Sequence, residues 1–169
     1  MPEPARRIRI RPVVAQDREW VRKLMRERWA GEEQVVDGEV FRPAELAGFV
    51  AVEGAARVGL VTYRIEGDVC MLGTLDSLDE GRGVGTALVN AARAEAALAG
   101  CARLRVVTTN DNRCALGFYR SAGFRVTVVR EGAVDESRKL KPSIPLVGED
   151  GIPITDEVEL ELTLARAGP

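Results

Sequence analysis

Ile8, Ile10 and Pro12 alternate with Arg9 and Arg11, the period-two signature of a short strand with one wet face. From about Gln16 to Trp29 the apolar residues Trp20, Val21, Leu24, Met25 and Trp29 recur at helical spacing, and the opposite face carries Arg18, Arg22, Lys23 and Glu27. Both tryptophans read as core on that stripe. Gly31 to Pro43 is polar and turn-rich, and Val35, Val36 and Phe41 make it a candidate lining for a site rather than a neutral linker. Phe49 to Glu53, Val58 to Glu66 and Val69 to Leu75 are β-rich runs separated by Gly54-Ala55-Ala56 and Gly67-Asp68, short enough for hairpin turns. They predict an antiparallel meander.

Val84, Ala87, Leu88, Ala91, Ala94 and Leu98 then keep helical spacing as far as a stop at Gly100. Leu104 to Thr108 reads as a buried strand, Asn112 to Ser121 as a short helix headed by a good capping residue, and Gly123 to Val129 as a further strand. Residues 131 to 156 contain Pro142, Pro145 and Pro153 among several glycines, so a short helix at Val134 to Leu140 is followed by irregular chain. Long irregular segments inside compact domains tend to serve function. The chain closes on Val158, Leu160, Leu162 and Leu164 alternating with Glu157, Glu159, Glu161 and Thr163, its cleanest strand signal. Such a strand can pair within its own sheet or along a second copy, which makes a homodimer an expectation. An antiparallel half joined to a βαβ-like half predicts a mixed α/β sheet covered by helices.

At 169 residues, one domain over 1–169 with one core is expected, with an irregular insertion at about 131–156. The 24 basic and 26 acidic residues give a net charge of -2, which argues against a nucleic-acid partner. No stretch has the length and apolarity of a signal peptide or a membrane span, so neither export nor a membrane partner is expected. Histidine is absent, which excludes Ser-His-Asp and Cys-His chemistry and removes the commonest zinc ligand. Cys70, Cys101 and Cys114 are odd in number and lack C-x-x-C spacing, so no metal is expected and a reducing, cytoplasmic setting fits. Without histidine, Cys114 has nothing to activate it as a nucleophile.

Asp79-Glu80-Gly81-Arg82-Gly83-Val84-Gly85-Thr86 lies between a strand and a helix, where glycines let the backbone turn and expose successive N–H groups at the positive end of the helix dipole. That is an anion cradle, although the same glycines also suit a plain tight turn. A P-loop would need Gly-Lys-Ser/Thr. A dinucleotide fingerprint would need a different glycine spacing, early in the chain, with an acidic residue about 20 positions on, where this sequence has Arg103 and Arg105. Both fail.

These residues resemble the GNAT superfamily of acetyl-CoA-dependent N-acetyltransferases, whose pyrophosphate loop reads Gln/Arg-x-x-Gly-x-Gly/Ala. Glu80 to Gly85 fits it except at Glu80, an acid where the family has Gln or Arg. A second family segment is matched by Asn112, Ala115, Phe118-Tyr119 and Gly123-Phe124. The likeness runs in element order from about Ile8 to Val129 and is strongest from Leu75 to Phe124. It implies a single-domain GNAT-like fold, a mixed and mostly antiparallel sheet flanked by helices, and an acyltransferase that moves an acetyl group from acetyl-CoA to a primary amine of a small molecule or peptide by direct transfer. The alternative is a non-catalytic acyl-CoA sensor, a possibility that Glu80 leaves open. A nicotinamide- or flavin-binding domain is a distant third.

The resemblance implies that the strand end at Leu75, Asp76 and Ser77 pairs with the pantetheine arm. Gly81, Arg82, Gly83, Val84, Gly85 and Thr86 hold the pyrophosphate, and Asn112 and Ala115 join the cofactor-binding set. Asn112 and Tyr119 flank the thioester. Tyr119 is the candidate general acid, because a phenol of pKa about 10 can donate to a developing thiolate. Asp76 is the best-placed carboxylate for the general base, with Glu53 and Glu66 behind it. Arg138, Lys139 and Lys141 form a run that reads either as a solvated face or as a site for an anionic acceptor. Gly31 to Pro43 and residues 131 to 156 are expected to shape the acceptor site.

Overall fold

A computed structural model describes residues 7–148 and 150–165. The chain runs β1 (Ile8–Pro12), α1 (Arg18–Arg28), β2 (Gln34–Val36), β3 (Glu39–Phe41), β4 (Ala47–Glu53), β5 (Ala56–Glu66), β6 (Val69–Ser77), α2 (Val84–Leu98), β7 (Arg103–Thr109), α3 (Arg113–Ser121), β8 (Arg125–Arg130), α4 (Ala133–Leu140) and β9 (Glu157–Thr163). Seven strands form one sheet in the order β1-β4-β5-β6-β7-β9-β8, and β2 and β3 form a separate hairpin. Every pairing in the large sheet is antiparallel except β6 with β7. Those two strands are parallel because α2 carries the chain over the sheet between them. The α/β class and the meander are as the sequence predicts.

Alternation along the central strands gives the sheet two apolar faces, each covered by helix. Ala51 and Val61 join Leu72, Leu104 and Leu160 under Val84, Leu88 and Ala92 of α2 and Tyr119 of α3. Their neighbours Val50, Val52 and Leu60 face the other way, under Val21, Leu24 and Met25 of α1. Gly59 lets the first turn of α2 close onto β5, since a Cβ there would stand 2.6 Å from Val84 Cγ1 and 2.9 Å from Leu88 Cδ1. This fixes the start of α2 beside the end of β6.

On the other face, a fully buried carboxylate anchors α1. Asp17, 0% exposed, accepts from Arg11 at 2.7 and 2.9 Å, from Arg57 at 2.9 Å and from the Val14 amide at 2.8 Å. Four donors offset the cost of taking the ion out of water, and they join the head of α1 to β1 and β5.

Two expectations need correction. Gly31 to Pro43 contains the β2–β3 hairpin, which turns on Asp37 (φ 51°) and Gly38 (φ 75°). An Asp-Gly turn between Val35-Val36 and Val40-Phe41 is a two-residue hairpin signal, and the turn-rich composition hid it. The last strand is not an edge. β9 pairs with β7 on one side and β8 on the other, so a dimer built along it has no free edge to use. Its acidic residues are covered too, Glu157 and Glu159 being 3% and 5% exposed. Glu159 pairs with Arg105 and Arg130, and Glu157 accepts from Ser137 Oγ at 3.2 Å and from the Asp37 amide at 3.2 Å. The glutamates of β9 thereby hold the hairpin tip and α4 against the sheet. Among the described residues no helix is long and apolar enough to cross a membrane.

Candidate active site

The parallel ladder between β6 and β7 is short. It joins Val69–Leu72 to Arg103–Val106 and stops, although β6 continues to Ser77 and β7 to Thr109. Gly73 is the extra residue of a bulge opposite the Thr62/Tyr63 step of β5, at the point where the two strands part. Beyond it, Gly73–Ser77 and Val107–Thr109 border an open seam in the middle of the sheet. The backbone edge of β6 along this seam is free to pair with an extended ligand. Leu75 and Ser77, singled out from the sequence, lie on that edge.

The start of α2 stands at the end of β6. Gly81 (φ 79°) and Gly83 (φ 74°) take the left-handed backbone that lets the loop turn inward. Gly83 is the N-cap with no side-chain cap, and the first helical bond is from the Ala87 amide to the Gly83 carbonyl. The amides of Val84, Gly85 and Thr86 are thus left for an anion at the positive end of the helix. A Cβ on Gly85 would touch the Phe118 ring at 3.4 Å, so α3 packs directly against the cradle. Arg82 does not reach over the loop. Its guanidinium lies 2.6 Å from Glu53 and 2.6 Å from Asp79, so the loop's attraction for an anion rests on backbone. Glu80 is exposed. Ser77 Oγ donates to the Asp79 carbonyl at 3.3 Å, bracing the turn from within.

Tyr119 and Asp76 approach the seam from opposite faces. Tyr119 lies in the α2-side core, edge-on to Phe118 and Phe124 with ring centroids 5.4 and 5.3 Å away. Its hydroxyl makes no hydrogen bond among the described residues. Burial, and after it the nearby charge of Asp76, raise the phenol well above the ordinary tyrosine range. Asp76 is opposite Leu60 in the register, which turns its side chain to the α1 face. It is 4% exposed. Burial raises its carboxyl, while the Trp29 indole and Arg28 pull the other way. Asn112 is the N-cap of α3, its Oδ1 accepting from the Ala115 amide at 3.2 Å. Both residues therefore help to set the helix that carries Tyr119.

On the α1 face, a cavity opens beside Gly73 between the hairpin and the sheet. Phe41, Leu46 and Met71 give it apolar walls, and Asp37, Arg64 and Arg105 give it charge. The two segments expected at an acceptor site meet nearby. Lys141 Nζ donates to the Trp29 carbonyl at 2.6 Å and to Gln34 Oε1 at 3.1 Å, and Ser143 Oγ donates to the Ala30 carbonyl at 3.0 Å. The basic run is thus mostly neither solvated face nor anion site. Arg138 donates to the Pro145 and Ile154 carbonyls, each at 2.6 Å, and braces its own loop. Only Lys139, paired with Glu136 at 2.9 Å, lies on the surface as a charge run does. Glu53 is paired with Arg82 of the glycine loop, and Glu66, paired with Arg64, lines the α1-side cavity together with Glu39.

Two contributors escape a sequence reading. Trp29 is more than core, since its indole Nε1 donates to both oxygens of Asp76 at 3.0 and 3.1 Å. Asn110, just past β7, accepts from the Thr155 and Asp156 amides at 3.0 Å each and donates to the Pro153 carbonyl at 2.9 Å. It fastens the loop before β9 to the far lip of the seam. Neither contact has a local signal, because each joins residues more than forty positions apart.

A sheet opened between two parallel strands, with an uncapped helix start at the mouth of the opening, matches what comparison with known proteins finds. Residues 13–124 match the Acetyltransferase (GNAT) family, and the chain belongs to that family. YdhI of Bacillus subtilis, itself uncharacterised, is 42% identical over 131 residues, which is 77% of this chain and 82% of YdhI. The fold is shared with the ribosomal-protein-S18-alanine N-acetyltransferase of Escherichia coli, at a TM-score of 0.68 and 16% identity over 96% of this chain and 97% of that one. It is shared equally with a Bacillus subtilis acetyltransferase solved in complex with CoA, at a TM-score of 0.67 and 17% identity over 94% of this chain and all of that one.

Proposed function

We propose that this protein transfers the acetyl group of acetyl-CoA directly to a primary amine on a small molecule or peptide. One observation carries the reading. The open seam between β6 and β7 has the uncapped amides of α2 at its mouth, Tyr119 on one face and Asp76 on the other. The free edge of β6 at Leu75 and Ser77 suits the amide-bearing pantetheine arm. The amides of Val84 to Thr86 suit a pyrophosphate.

Acetyl-CoA supplies an activated acyl group and a thiolate leaving group. The chain's own residues manage position and protons. An amine entering from the α1-side cavity meets the seam on the face that holds Asp76, which takes a proton from the ammonium directly or through water. Tyr119 faces the seam from the cofactor side and is protonated near neutral pH, as a donor to the thiolate must be. The β2–β3 hairpin walls that cavity, and Lys141 to Ser143, which line the next opening, hold the exit of α1 beside it. The test is thiol release from acetyl-CoA in the presence of spermidine, phenylethylamine and an alanyl peptide, with wild type and Tyr119→Phe. Release that depends on an amine and collapses in the variant is expected. CoA binding without release from any primary amine would favour the sensor reading.

A further inference from the structure

A buried carboxylate must be held ionised if it is to accept a proton, and Asp76 has few means of staying so. At 4% exposure it is nearly cut off from water. Arg28 Nε stands 3.4 Å from Oδ1, but its side chain is 45% exposed and reaches in from the surface. The short contacts are those from Trp29, whose single indole N–H is shared between Oδ1 at 3.0 Å and Oδ2 at 3.1 Å. The one polar atom of the indole is thus spent on a buried carboxylate rather than on a backbone carbonyl or water.

The indole is also held from behind. Its ring packs on the α1-side core, and the backbone carbonyl of Trp29 accepts from Lys141 Nζ at 2.6 Å. Gln34 accepts from the same lysine at 3.1 Å and donates to the Gly31 carbonyl at 3.0 Å, so the exit of α1 is tied to the hairpin and to the chain after α4. Of these, the hairpin walls the α1-side cavity, while the exit of α1 and Lys141 to Ser143 line a separate opening beside it. Trp29 is thereby the link between the acceptor wall and the carboxylate at the seam.

We propose that Trp29 is a positioning residue, holding the Asp76 carboxylate ionised and aimed at the seam so that it can receive the proton of the acceptor ammonium. The proposal rests on the transferase reading for its purpose, but the contact itself is measurable without turnover. The ionisable groups acting on Asp76 are Arg28 from α1 and Tyr119 from α3, while β5 presents only Leu60 opposite it. Removing the indole donor leaves burial opposed by Arg28 alone, and the carboxyl must titrate higher.

The test is carbon NMR on protein labelled at the aspartate carboxyl carbons, with the Asp76 signal assigned by its loss in Asp76→Asn. In Trp29→Phe, which keeps an aromatic ring and removes the N–H, the Asp76 midpoint is expected to rise by about one pH unit, the scale of a lost hydrogen bond to a buried charge. The acid limb of kcat/KM for an amine found by thiol release should rise with it. Should Trp29→Phe fail to fold, the wild-type indole serves instead. The chain has two tryptophans, and the Nε1–H resonance of Trp29 should shift with the Asp76 midpoint while that of Trp20 does not. A carboxyl midpoint unmoved in Trp29→Phe, or a Trp29 indole signal flat through the titration, overturns the proposal. Failure of every amine to release thiol counts against the transferase reading alone and leaves the NMR result standing.

Discussion

The two faces of this sheet are built in different ways. On the α2 face the cradle is backbone, made of amides at a helix start and the free edge of one strand, with side chains contributing little. On the α1 face everything is side chain and long range. Asp17 ties α1 to β1 and β5, Glu157 and Glu159 hold the hairpin and α4, and Trp29 reaches across to Asp76. A backbone site needs only a particular run of glycines between a strand and a helix, and that run is visible in sequence. A side-chain site depends on which distant residues the fold brings together.

The comparison can be broken or sharpened in order of expected effect. The largest is Tyr119→Phe, which should lower kcat about a hundredfold or more, the usual scale for a general acid, while leaving the CoA-induced rise in melting temperature intact. Equal losses in both would place Tyr119 in binding rather than in proton transfer. Next is Asp17→Asn, expected to cost about 3 kcal/mol of stability in urea unfolding, since it strips a buried carboxylate from two arginines.

The same residue predicts a pH dependence. Arg11, by its hydrogen bonds, holds the Asp17 carboxyl well below the usual carboxylate range. The folded state therefore keeps Asp17 ionised where the unfolded chain has begun to protonate it. Its contribution is full above the unfolded pKa of about 4 and is lost as the pH falls towards the folded value. Melting temperatures taken from pH 7 down to 3 should decline in wild type and decline less in Asp17→Asn. Parallel curves would mean that other carboxylates govern acid unfolding.

On the cofactor face, Gly83→Val places a branched side chain at φ 74° in the N-cap, a strain of about 1–2 kcal/mol per residue in left-handed backbone. CoA binding by calorimetry should weaken about tenfold, and unchanged affinity would remove the cradle from the account. The smallest effect is Glu80→Gln. Glu80 is exposed and screened, so CoA should bind about threefold tighter at low salt, with the gain fading as salt rises. A loss of affinity would show that the acid is used rather than tolerated.

How much could be read in advance follows the same division. The meander, the βαβ crossover, the glycine loop and the cap at Asn112 all have local signals of period, turn chemistry or motif, and the fold bears them out. The Asp37-Gly38 hairpin had such a signal too, but composition masked it. Alternation in β9 marks a strand correctly and leaves the burial of Glu157 and Glu159 unread, because period two says which residues share a face and not what covers it. The expectation that the Arg82 side chain helps to hold the pyrophosphate has no local warning of Glu53, which the fold sets beside it from 29 residues away. Trp29 and Asn110 were invisible as site residues for the same reason.

The central claim is that the amides of α2 and the free edge of β6 bind CoA. It is tested most directly by thermal melts of the purified protein alone and with about 1 mM CoA, acetyl-CoA or NAD, because a ligand that binds only the folded state raises its apparent stability. A clear rise with both CoA species and none with NAD is predicted. No rise with either CoA species, or an equal rise with NAD, would contradict the account.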